Sequence, residues 1–278
     1  MSKKLFNPAK SVVASALVLG LLGLLGTAGC RMQSREIRQE TGKLEKIKAA
    51  GKIVVGTSAD YPPYEFHLLP ELESGMVGID IDIAEAIAAD LNVKLEIKNI
   101  TFSKLFDELA AGRIDMALAG LSPTENRKHI ADFSIPYYQA IQNMLIRAED
   151  KEKIMMLDDL RGKVVGTQKG SIQEDMARNL VSGATFFLHE DITALVDALR
   201  QKRVDAVILE KPVADTFKSA DLLNLECDTD SQPLGSAAAF KKGDTDLMER
   251  VNAVLQKLIA GNKITESVQA AKVLADKI

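Results

Sequence analysis

Polar residues that can bind an ionised small molecule follow the apolar strands predicted along the chain. They lie in the segments SADYPPY, GLSPTENR, QKGSIQE and LEKP, which begin at Ser58, Gly120, Gln168 and Leu209. Arg127 offers a planar fork of donors suited to a carboxylate, and Glu210 can accept from an ammonium group. Hydroxyl groups and glycines with uncovered backbone amides accompany them. Together these residue types predict a pocket for a zwitterion.

Two pairs of similar segments indicate how these residues are positioned. GKIVVGTSAD at 51–60 is nearly repeated as GKVVGTQKGS at 162–171, and FDELAAGRIDMALAG at 106–120 matches VDALRQKRVDAVILE at 196–210. Short β-branched runs alternate with helical patterns, which indicates βαβ units and a mainly parallel sheet. Repetition in the same order predicts two α/β lobes of similar build. Because ligands of open α/β sheets bind beyond the carboxyl ends of the strands, two facing lobes can hold one small molecule.

The composition is that of a globular protein and excludes several classes of function. The chain has 278 residues, of which 46% are hydrophobic and 27% charged, enough for one large domain or two smaller ones. Beyond residue 29, 32 basic residues oppose 39 acidic ones, so we expect no nucleic-acid partner. His67, His129 and His189 lack metal-ligand spacing, and GTQKGS lacks the spacing of a P-loop. We therefore expect neither a metal nor a cofactor.

The segment 1–29 has the pattern of an export signal peptide. Three lysines precede an uncharged run over 11–29, and Cys30 follows. TAGC at 27–30 resembles the lipobox of bacterial lipoproteins, whose cysteine is acylated, although Thr27 departs from the commonest residue there. We expect a lipidated Cys30, a tether over 30–43 and a protein anchored to the cell membrane on its extracellular side, or on the periplasmic side if the source has an outer membrane. A plain signal peptide and an uncleaved helix are the alternatives, because the uncharged run approaches membrane-spanning length.

The second cysteine is Cys227. A lipidated Cys30 cannot pair with it, so we expect no disulfide even in a compartment that permits one. We expect Cys227 to be a small buried apolar residue.

Two longer motifs identify a family resemblance. GIDIDIAEAIA at 78–88 and GRIDMALAGLSPTENRKHIADFSIPYY at 112–138 resemble the bacterial extracellular solute-binding proteins for polar amino acids, the family 3 receptors of ABC importers. The resemblance implies an α/β, two-lobed periplasmic-binding-protein-like fold of type II, with each lobe a mostly parallel sheet flanked by helices. Lobe 1 would comprise 44–138 plus 235–278, and lobe 2 would comprise 139–234. Two crossing hinge segments would let the lobes close over one amino acid for delivery to a permease.

The resemblance also implies roles for individual residues. Arg127 matches the arginine that clamps the ligand α-carboxylate, with Ser122 beside it and Gly120 contributing backbone. Glu210 matches an acidic residue, commonly Asp, that receives the α-ammonium. The other predicted site residues are the aromatic pair Tyr61 and Phe102 around the ligand side chain, Ser171 on the loop of the second lobe, and Ser58 and Gln168 near the side-chain end. Ser58 departs from relatives that carry Asp.

Each of these residues also has a simpler interpretation. Arg127 could be a solvated charge, and Glu210 could form a local ion pair with Lys211. Tyr61 and Phe102 could belong to the core, although Tyr61 lies in the proline-containing loop ADYPPYEF. Gly78, Asp80 and Asp82 are expected to form a loop and the start of a helix, where acidic groups favour the helix dipole.

The sequence favours a lipid-anchored receptor that binds a free amino acid and delivers it to an ABC importer permease, rather than an enzyme. The main alternative is a cyclohexadienyl dehydratase acting on prephenate or arogenate, in which Glu210 with Gln168 or Lys169 would supply the acid. A ligand-binding module of a sensor or channel is disfavoured, since no later hydrophobic span is evident.

The ligand side chain is expected to be polar or basic. No second arginine marks the pocket, which argues against an acidic ligand, although Lys169 is nearby. Asp60 and Glu174 could attract a basic side chain, whereas Ser58, Gln168 and Gln173 could satisfy an amide.

Overall fold

The computed structural model describes residues 42–68, 75–227 and 234–277. Residues 41–278 belong to one compact unit. The strands are β1 Lys52–Thr57, β2 Asp60–Tyr61, β3 Glu65–His67, β4 Met76–Val77, β5 Lys94–Asn99, β6 Met116–Ala117, β7 Ala131–Phe133, β8 Gln142–Arg147, β9 Val164–Gln168, β10 Thr185–His189, β11 Ala206–Glu210, β12 Leu222–Glu226 and β13 Ala239–Lys241. The helices are α1 Lys43–Ala50, α2 Ile79–Leu91, α3 Leu105–Ala110, α4 Glu125–Ile130, α5 Ile172–Leu180, α6 Ile192–Arg200, α7 Lys211–Thr216, α8 Thr245–Ala260 and α9 Lys263–Ala275.

The described residues form two five-stranded sheets of matching topology. Their strand orders are β5-β1-β6-β13-β7 and β10-β9-β11-β8-β12. β1 pairs in parallel with β5 and β6, as β9 does with β10 and β11. The fourth strand of each sheet, β13 or β8, is antiparallel to both of its neighbours. It separates the fifth strand, β7 or β12, from the three parallel strands. We call the parts built on these sheets lobe 1 and lobe 2. The prediction of two similar, mostly parallel lobes is confirmed, and the repeated segments supply the equivalent strands β1 and β9.

The core of lobe 1 forms where α2 packs on the sheet. Ile79, Ile83 and Ile87 recur every four residues and are fully buried, so they share one face of the helix. They belong to the same apolar cluster as Ile53 and Val55 of β1. The predicted helix start at GIDID is confirmed, because α2 begins at Ile79 with acidic residues in its first turn.

Gly78, which precedes α2, can only be glycine. Its φ of 131° lies in a region that L side chains rarely adopt. A Cβ atom there would lie 2.2 Å from the carbonyl oxygen of Tyr64. The close approach fixes the segment that carries Tyr64 against the start of α2, where the backbone N–H of Asp80 donates to that same oxygen over 2.9 Å.

Two chain segments connect the lobes side by side. Tyr138 and Ser236 form an antiparallel bridge, with the N–H of Ser236 donating to the carbonyl of Tyr138 over 2.7 Å. The segment with Tyr138 follows β7 of lobe 1, and the segment with Ser236 leads back to β13 in the same sheet.

Several predictions concern regions or groups away from the sheets. Cys30, the signal segment and most of the tether lie outside the described residues. Cys227 is buried and has no disulfide partner in the described parts of the chain, and burial raises the pKa of its thiol to about 12. Within the described ranges, no helix combines the length and apolarity needed to cross a bilayer.

Candidate functional site

Residues from both lobes line one pocket between the two sheets. Of the predicted site residues, the pocket brings together Tyr61, Phe102, Gly120, Ser122, Arg127 and Gln168. Ala119, Ile172 and Gln173 complete the lining. Ser171 is buried at the start of α5, next to Ile172. The pocket lies where the segments after β6 and β9 meet, as expected for the carboxyl ends of parallel strands.

Arg127 presents its guanidinium to this pocket without a carboxylate partner in the described parts of the chain. The N–H of Arg127 donates to the Oγ1 of Thr124, which caps α4. Its Nη1 donates to the carbonyl of Ser122 and its Nη2 to the carbonyl of Gly170 in lobe 2, both over 3.1 Å. Desolvation lowers the pKa of Arg127 to about 10, so the group stays cationic at neutral pH.

Aromatic rings hold the guanidinium in place. Its central carbon lies 5.7 Å from the centre of the Phe102 ring and 5.4 Å from that of Phe106. Such cation–π contacts stabilise a charge without neutralising it. Arg127 is therefore a positioned cation rather than the solvated charge that the sequence left open.

The backbone amide of Gly120 is not uncovered, in contrast to the prediction. Its N–H donates to Oδ2 of Asp80 over 2.9 Å, so this donor is engaged within lobe 1. The φ of 55° at Gly120 is left-handed, and a Cβ there would lie 3.3 Å from the ring of Tyr61. Asp80 also accepts from the hydroxyl of Tyr137 over 2.7 Å. Asp80 thus fixes the loop that leads to Ser122.

The N-terminus of α5 faces the same pocket from lobe 2. The Oγ of Ser171 caps this helix by accepting from the N–H of Glu174 over 3.1 Å. Glu174 in turn accepts from the N–H of Gly170 and pairs with Arg178. Its carboxylate is committed to lobe 2, so it does not provide the free acid expected for a basic side chain.

Tyr61 combines the two interpretations proposed for it, since it lines the pocket and belongs to the core. Its ring stacks on that of Tyr64 at 5.5 Å, and its hydroxyl accepts from the N–H of Glu210 over 3.5 Å. Phe102 is partly buried and begins a short 3-10 turn. The two aromatic residues therefore form part of the pocket wall.

Glu210 lies at the end of β11, and its carboxylate points to lobe 1. Its Oε2 accepts from the hydroxyl of Tyr64 over 2.5 Å. Lys211 pairs instead with Asp215 at 3.0 Å, so the local ion pair left open by the sequence does not form. Glu210 is not one of the residues that line the pocket around Arg127. Burial raises the pKa of Glu210 to about 7, and the bond from Tyr64 opposes that rise.

Asp60 connects the lobes at the other end of the site. It accepts from the N–H of Ile192 over 2.8 Å, from Nε2 of Gln168 over 3.2 Å and from the Oγ of Ser58 over 3.0 Å. The first two donors belong to lobe 2. Burial raises the pKa of Asp60 to about 7. Ser58 and Gln168, which were predicted to lie near the ligand side chain, thus both contact Asp60.

A second pocket adjoins Asp60 and is lined by acidic residues. Asp60, Glu190 and Asp191 line it together with Ser58 and Asn99. Lys169 pairs with Glu190 at 3.1 Å, so this lysine is matched by an acid. Within the described ranges, no group of three or more His, Cys, Asp or Glu side chains has the arrangement of a metal site.

Several residues of the site were not predicted from the sequence. Tyr64, Glu190 and Asp191 contact predicted residues or line the adjoining pocket. The motif YPPYEF contained a signal for Tyr64, because its two tyrosines are three residues apart in one loop. Nothing in the local pattern indicated that the second tyrosine meets Glu210.

Comparisons with known proteins give a consistent result. The family model for "Bacterial extracellular solute-binding proteins, family 3" matches residues 53–270. The chain is 37% identical over 213 residues to the arginine-binding extracellular protein ArtP of Bacillus subtilis (strain 168), covering 74% of this chain and 80% of ArtP. It is similar to the crystal structure of the amino acid ABC transporter substrate-binding protein AbpA of Streptococcus pneumoniae bound to L-arginine, with 34% identity, a TM-score of 0.80, and coverage of 83% and 98%.

A more distant relative is an enzyme. The cyclohexadienyl dehydratase of Pseudomonas aeruginosa is 24% identical over 181 residues, which cover 64% of this chain and 66% of the enzyme. The more similar relatives are binding proteins. The comparisons confirm the predicted two-lobed type II fold and the family resemblance.

Proposed function

The chain belongs to the bacterial extracellular solute-binding proteins of family 3, and on this premise we propose that it is a receptor that binds arginine between its lobes and delivers it to an ABC importer. The observation that carries the proposal is the guanidinium of Arg127. It lies in the interlobe pocket, held by two carbonyls and two aromatic rings, and within the described ranges no carboxylate forms an ion pair with it, although the charge of Asp175 acts on it. A ligand carboxylate can neutralise this charge through two parallel hydrogen bonds.

The acidic end of the site supports a basic ligand rather than an amide. Asp60, Glu190 and Asp191 provide negative charge there, and Lys169 is already paired with Glu190. A guanidinium or ammonium group at this end would be attracted by these acids. The arginine named for ArtP and AbpA agrees with this charge pattern. Glutamine is the alternative, because Ser58 and Gln168 can satisfy an amide.

Lobe closure is the proposed mechanism of capture. Lobe 1, residues 44–138 plus 235–278, would hold the α-carboxylate through Arg127. Lobe 2, residues 139–234, would supply Ser171 and Glu210. Because each lobe holds part of the ligand, arginine would have a higher affinity for the closed state and would shift the population towards it.

We also propose that the protein is anchored outside the cell by a lipid on Cys30. The tether over 30–43 would separate the anchor from the lobes, which leaves the pocket free to approach a permease. Replacing Cys30 by Ser should release the protein from membranes in detergent-free fractionation while its affinity for arginine stays the same. Unchanged membrane retention would contradict the anchor.

A dehydratase remains the second candidate, because a relative has that activity and Glu210 can hold a proton near neutral pH. The contacts favour the receptor. Glu210 is bonded to Tyr64, Gln168 to Asp60 and Lys169 to Glu190, so each group considered as the acid already has a protein partner. Turnover of prephenate or arogenate by the purified protein would overturn the receptor proposal.

A thermal-shift screen against the twenty amino acids tests the ligand. Arginine at about a hundred times its dissociation constant should add about 2.7 kcal/mol to the free energy of unfolding. Lysine and glutamine serve as the matched comparisons, since one keeps a cation and the other an amide. A larger shift with glutamine than with arginine would contradict the proposed ligand.

A further inference from the structure

We propose that Tyr64 is a positioning residue for the ligand amino group, because its hydroxyl reaches from lobe 1 to lobe 2 and holds the Glu210 carboxylate as the acceptor. The inference rests on the proposed function, since it concerns the same amino-acid ligand. Tyr64 would not need to touch the ligand. It would act through Glu210.

The geometry of this pair is that of a buried contact between lobes. Tyr64 is fully buried on the segment between β2 and β3, and Glu210 is 4% exposed at the end of β11. The hydroxyl donates to Oε2 over 2.5 Å. Because the two residues belong to different lobes, the bond links the lobes beside the hinge, where Tyr64 also contacts Tyr138 and Ser236.

Tyr64 is itself fixed on several sides. Its ring stacks on Tyr61 at 5.5 Å and meets the edge of Tyr138 at 5.8 Å. Its hydroxyl accepts from the Oγ of Ser236, in the second hinge segment, over 3.4 Å. The donor aimed at Glu210 is therefore held by lobe 1 and by the hinge, and it does not have to be reorganised when a ligand arrives.

Glu210 has no cationic partner in the described parts of the chain. The titratable groups that face it are Tyr61 of β2, Tyr64, Glu65 of β3, Asp80 of α2, and Tyr137 and Tyr138 of the first hinge segment. All of these are neutral or acidic. A buried carboxylate in such surroundings is costly unless it is hydrogen-bonded or paired with a charge. Tyr64 supplies the hydrogen bond, and the ligand ammonium would supply the charge.

The bond also affects the protonation of Glu210. A hydroxyl that donates to a carboxylate favours the ionised form, so removing it should raise the pKa of Glu210 further above its present value of about 7. A protonated Glu210 accepts an ammonium group poorly. Arginine affinity should therefore increase as pH rises through this range, and the midpoint should lie at higher pH without the Tyr64 hydroxyl.

The test compares Tyr64→Phe with Tyr138→Phe in the full chain. Both substitutions remove one hydroxyl from adjacent rings, but that of Tyr138 makes no side-chain hydrogen bond among the described residues. Calorimetry with arginine from pH 5.5 to 8.5 should show at least a roughly tenfold loss of affinity for Tyr64→Phe at pH 7, together with a higher pH midpoint. Tyr138→Phe should lose less affinity than Tyr64→Phe and should keep the wild-type midpoint, because the hydroxyl of Tyr138 does not donate to Glu210.

A ligand-independent measurement separates this inference from the proposed function. The ¹³C resonance of the Glu210 carboxyl, identified by its loss in Glu210→Gln, should titrate at a pKa higher by roughly one unit in Tyr64→Phe. If the wild type bound no arginine, the proposed function would fall, and the titration of the ligand-free protein would still decide the Tyr64–Glu210 link. The inference would be overturned if Tyr64→Phe bound arginine as tightly as the wild type. It would also be overturned if the pKa of Glu210 were the same in Tyr64→Phe and in the wild type, both with and without arginine. In the Glu210→Gln background, Tyr64→Phe should have no further effect on the pH dependence.

Discussion

The two ends of the proposed amino-acid site are built in different ways. The carboxylate end is largely local, because Arg127, its helix cap Thr124 and the carbonyl of Ser122 belong to one short segment of lobe 1. The ammonium end joins residues far apart in the chain, since Tyr64 and Glu210 are separated by 146 positions and come from different lobes. The first end is positioned mainly within lobe 1, with one contact to the carbonyl of Gly170 in lobe 2, whereas the second end is formed by residues of both lobes.

The two ends also differ in charge. Around Arg127 a cation is held by neutral carbonyls and rings. Around Glu210 several buried acids and tyrosines lie together without a cation in the described ranges. The first arrangement keeps its charge at all ordinary pH values, and the second gains or loses protons near neutrality. Of these two ends, the second should make ligand binding depend on pH.

Arg127→Ala should have the largest effect on binding. Truncating one partner of a charge pair in a water-poor cleft costs about 2 to 5 kcal/mol, so the affinity for arginine should fall at least about thirtyfold in calorimetry. Arg127→Lys keeps the charge but loses the fork, so it should restore only part of the affinity. Lys128→Ala is the matched control, because this neighbour is exposed and pairs with Glu125. An Arg127→Ala protein within about threefold of wild type would remove the carboxylate end from the comparison.

Asp60→Asn should have an intermediate effect. Asparagine keeps one acceptor oxygen for the N–H of Ile192 and Nε2 of Gln168, which both donate to Oδ2 of Asp60, but it loses the negative charge and places its amide group beside the hydroxyl of Ser58. We expect a roughly tenfold loss of arginine affinity at pH 8. The loss should be smaller at pH 6, because the raised pKa of about 7 already leaves Asp60 largely protonated there.

The control for Asp60 is Asp132→Asn, which neutralises an acid paired with Lys242 on the surface of lobe 1. It should leave arginine affinity unchanged at both pH values. An equal loss for Asp60→Asn at pH 6 and pH 8 would show that the charge of Asp60 has no part in binding.

Glu65→Gln should have the smallest effect, and on stability rather than binding. Glu65 is fully buried, neither of its carboxyl oxygens has a hydrogen-bond partner among the described residues, and burial, followed by the charge of Asp80, raises its pKa. The folded state therefore favours the protonated form. This contribution is fully present below the pKa of the unfolded chain and is lost as pH rises towards the folded value.

The Gln side chain has no proton to lose, so the stability of the Glu65→Gln protein should fall less than that of the wild type between pH 5 and pH 8. The stability of Glu65→Gln relative to the wild type should therefore increase from pH 5 to pH 8 in urea unfolding. Glu96→Gln is the control, because this exposed acid pairs with Lys52 and its pKa is lowered, so its contribution is lost only as pH falls below this interval. Parallel stability curves for Glu65→Gln and wild type would mean that Glu65 is not a buried acid of this kind.

The same contrast explains what could be predicted from the sequence. The repeated strands and the start of α2 depend on neighbours in the chain, so their patterns were sufficient to predict them. The contact of Tyr64 with Glu210, and the placement of Glu190 and Asp191 beside Asp60, depend on the approach of the two lobes. The commitment of the Gly120 amide to Asp80 likewise depends on a contact across 40 positions. Local patterns carry no information about such pairings.

The position of β13 has a consequence for the order in which the chain folds as it is synthesised. The sheet of lobe 2 uses strands from Gln142 to Glu226 without interruption, whereas β13 must insert between β6 and β7 of lobe 1. Non-local pairings form late, because the long loop between their partners must first be closed. Lobe 2 can therefore complete its sheet while lobe 1 still exposes two unpaired strand edges. A chain stalled or cleaved before Ala239 should leave lobe 2 protected from proteolysis and lobe 1 sensitive to it.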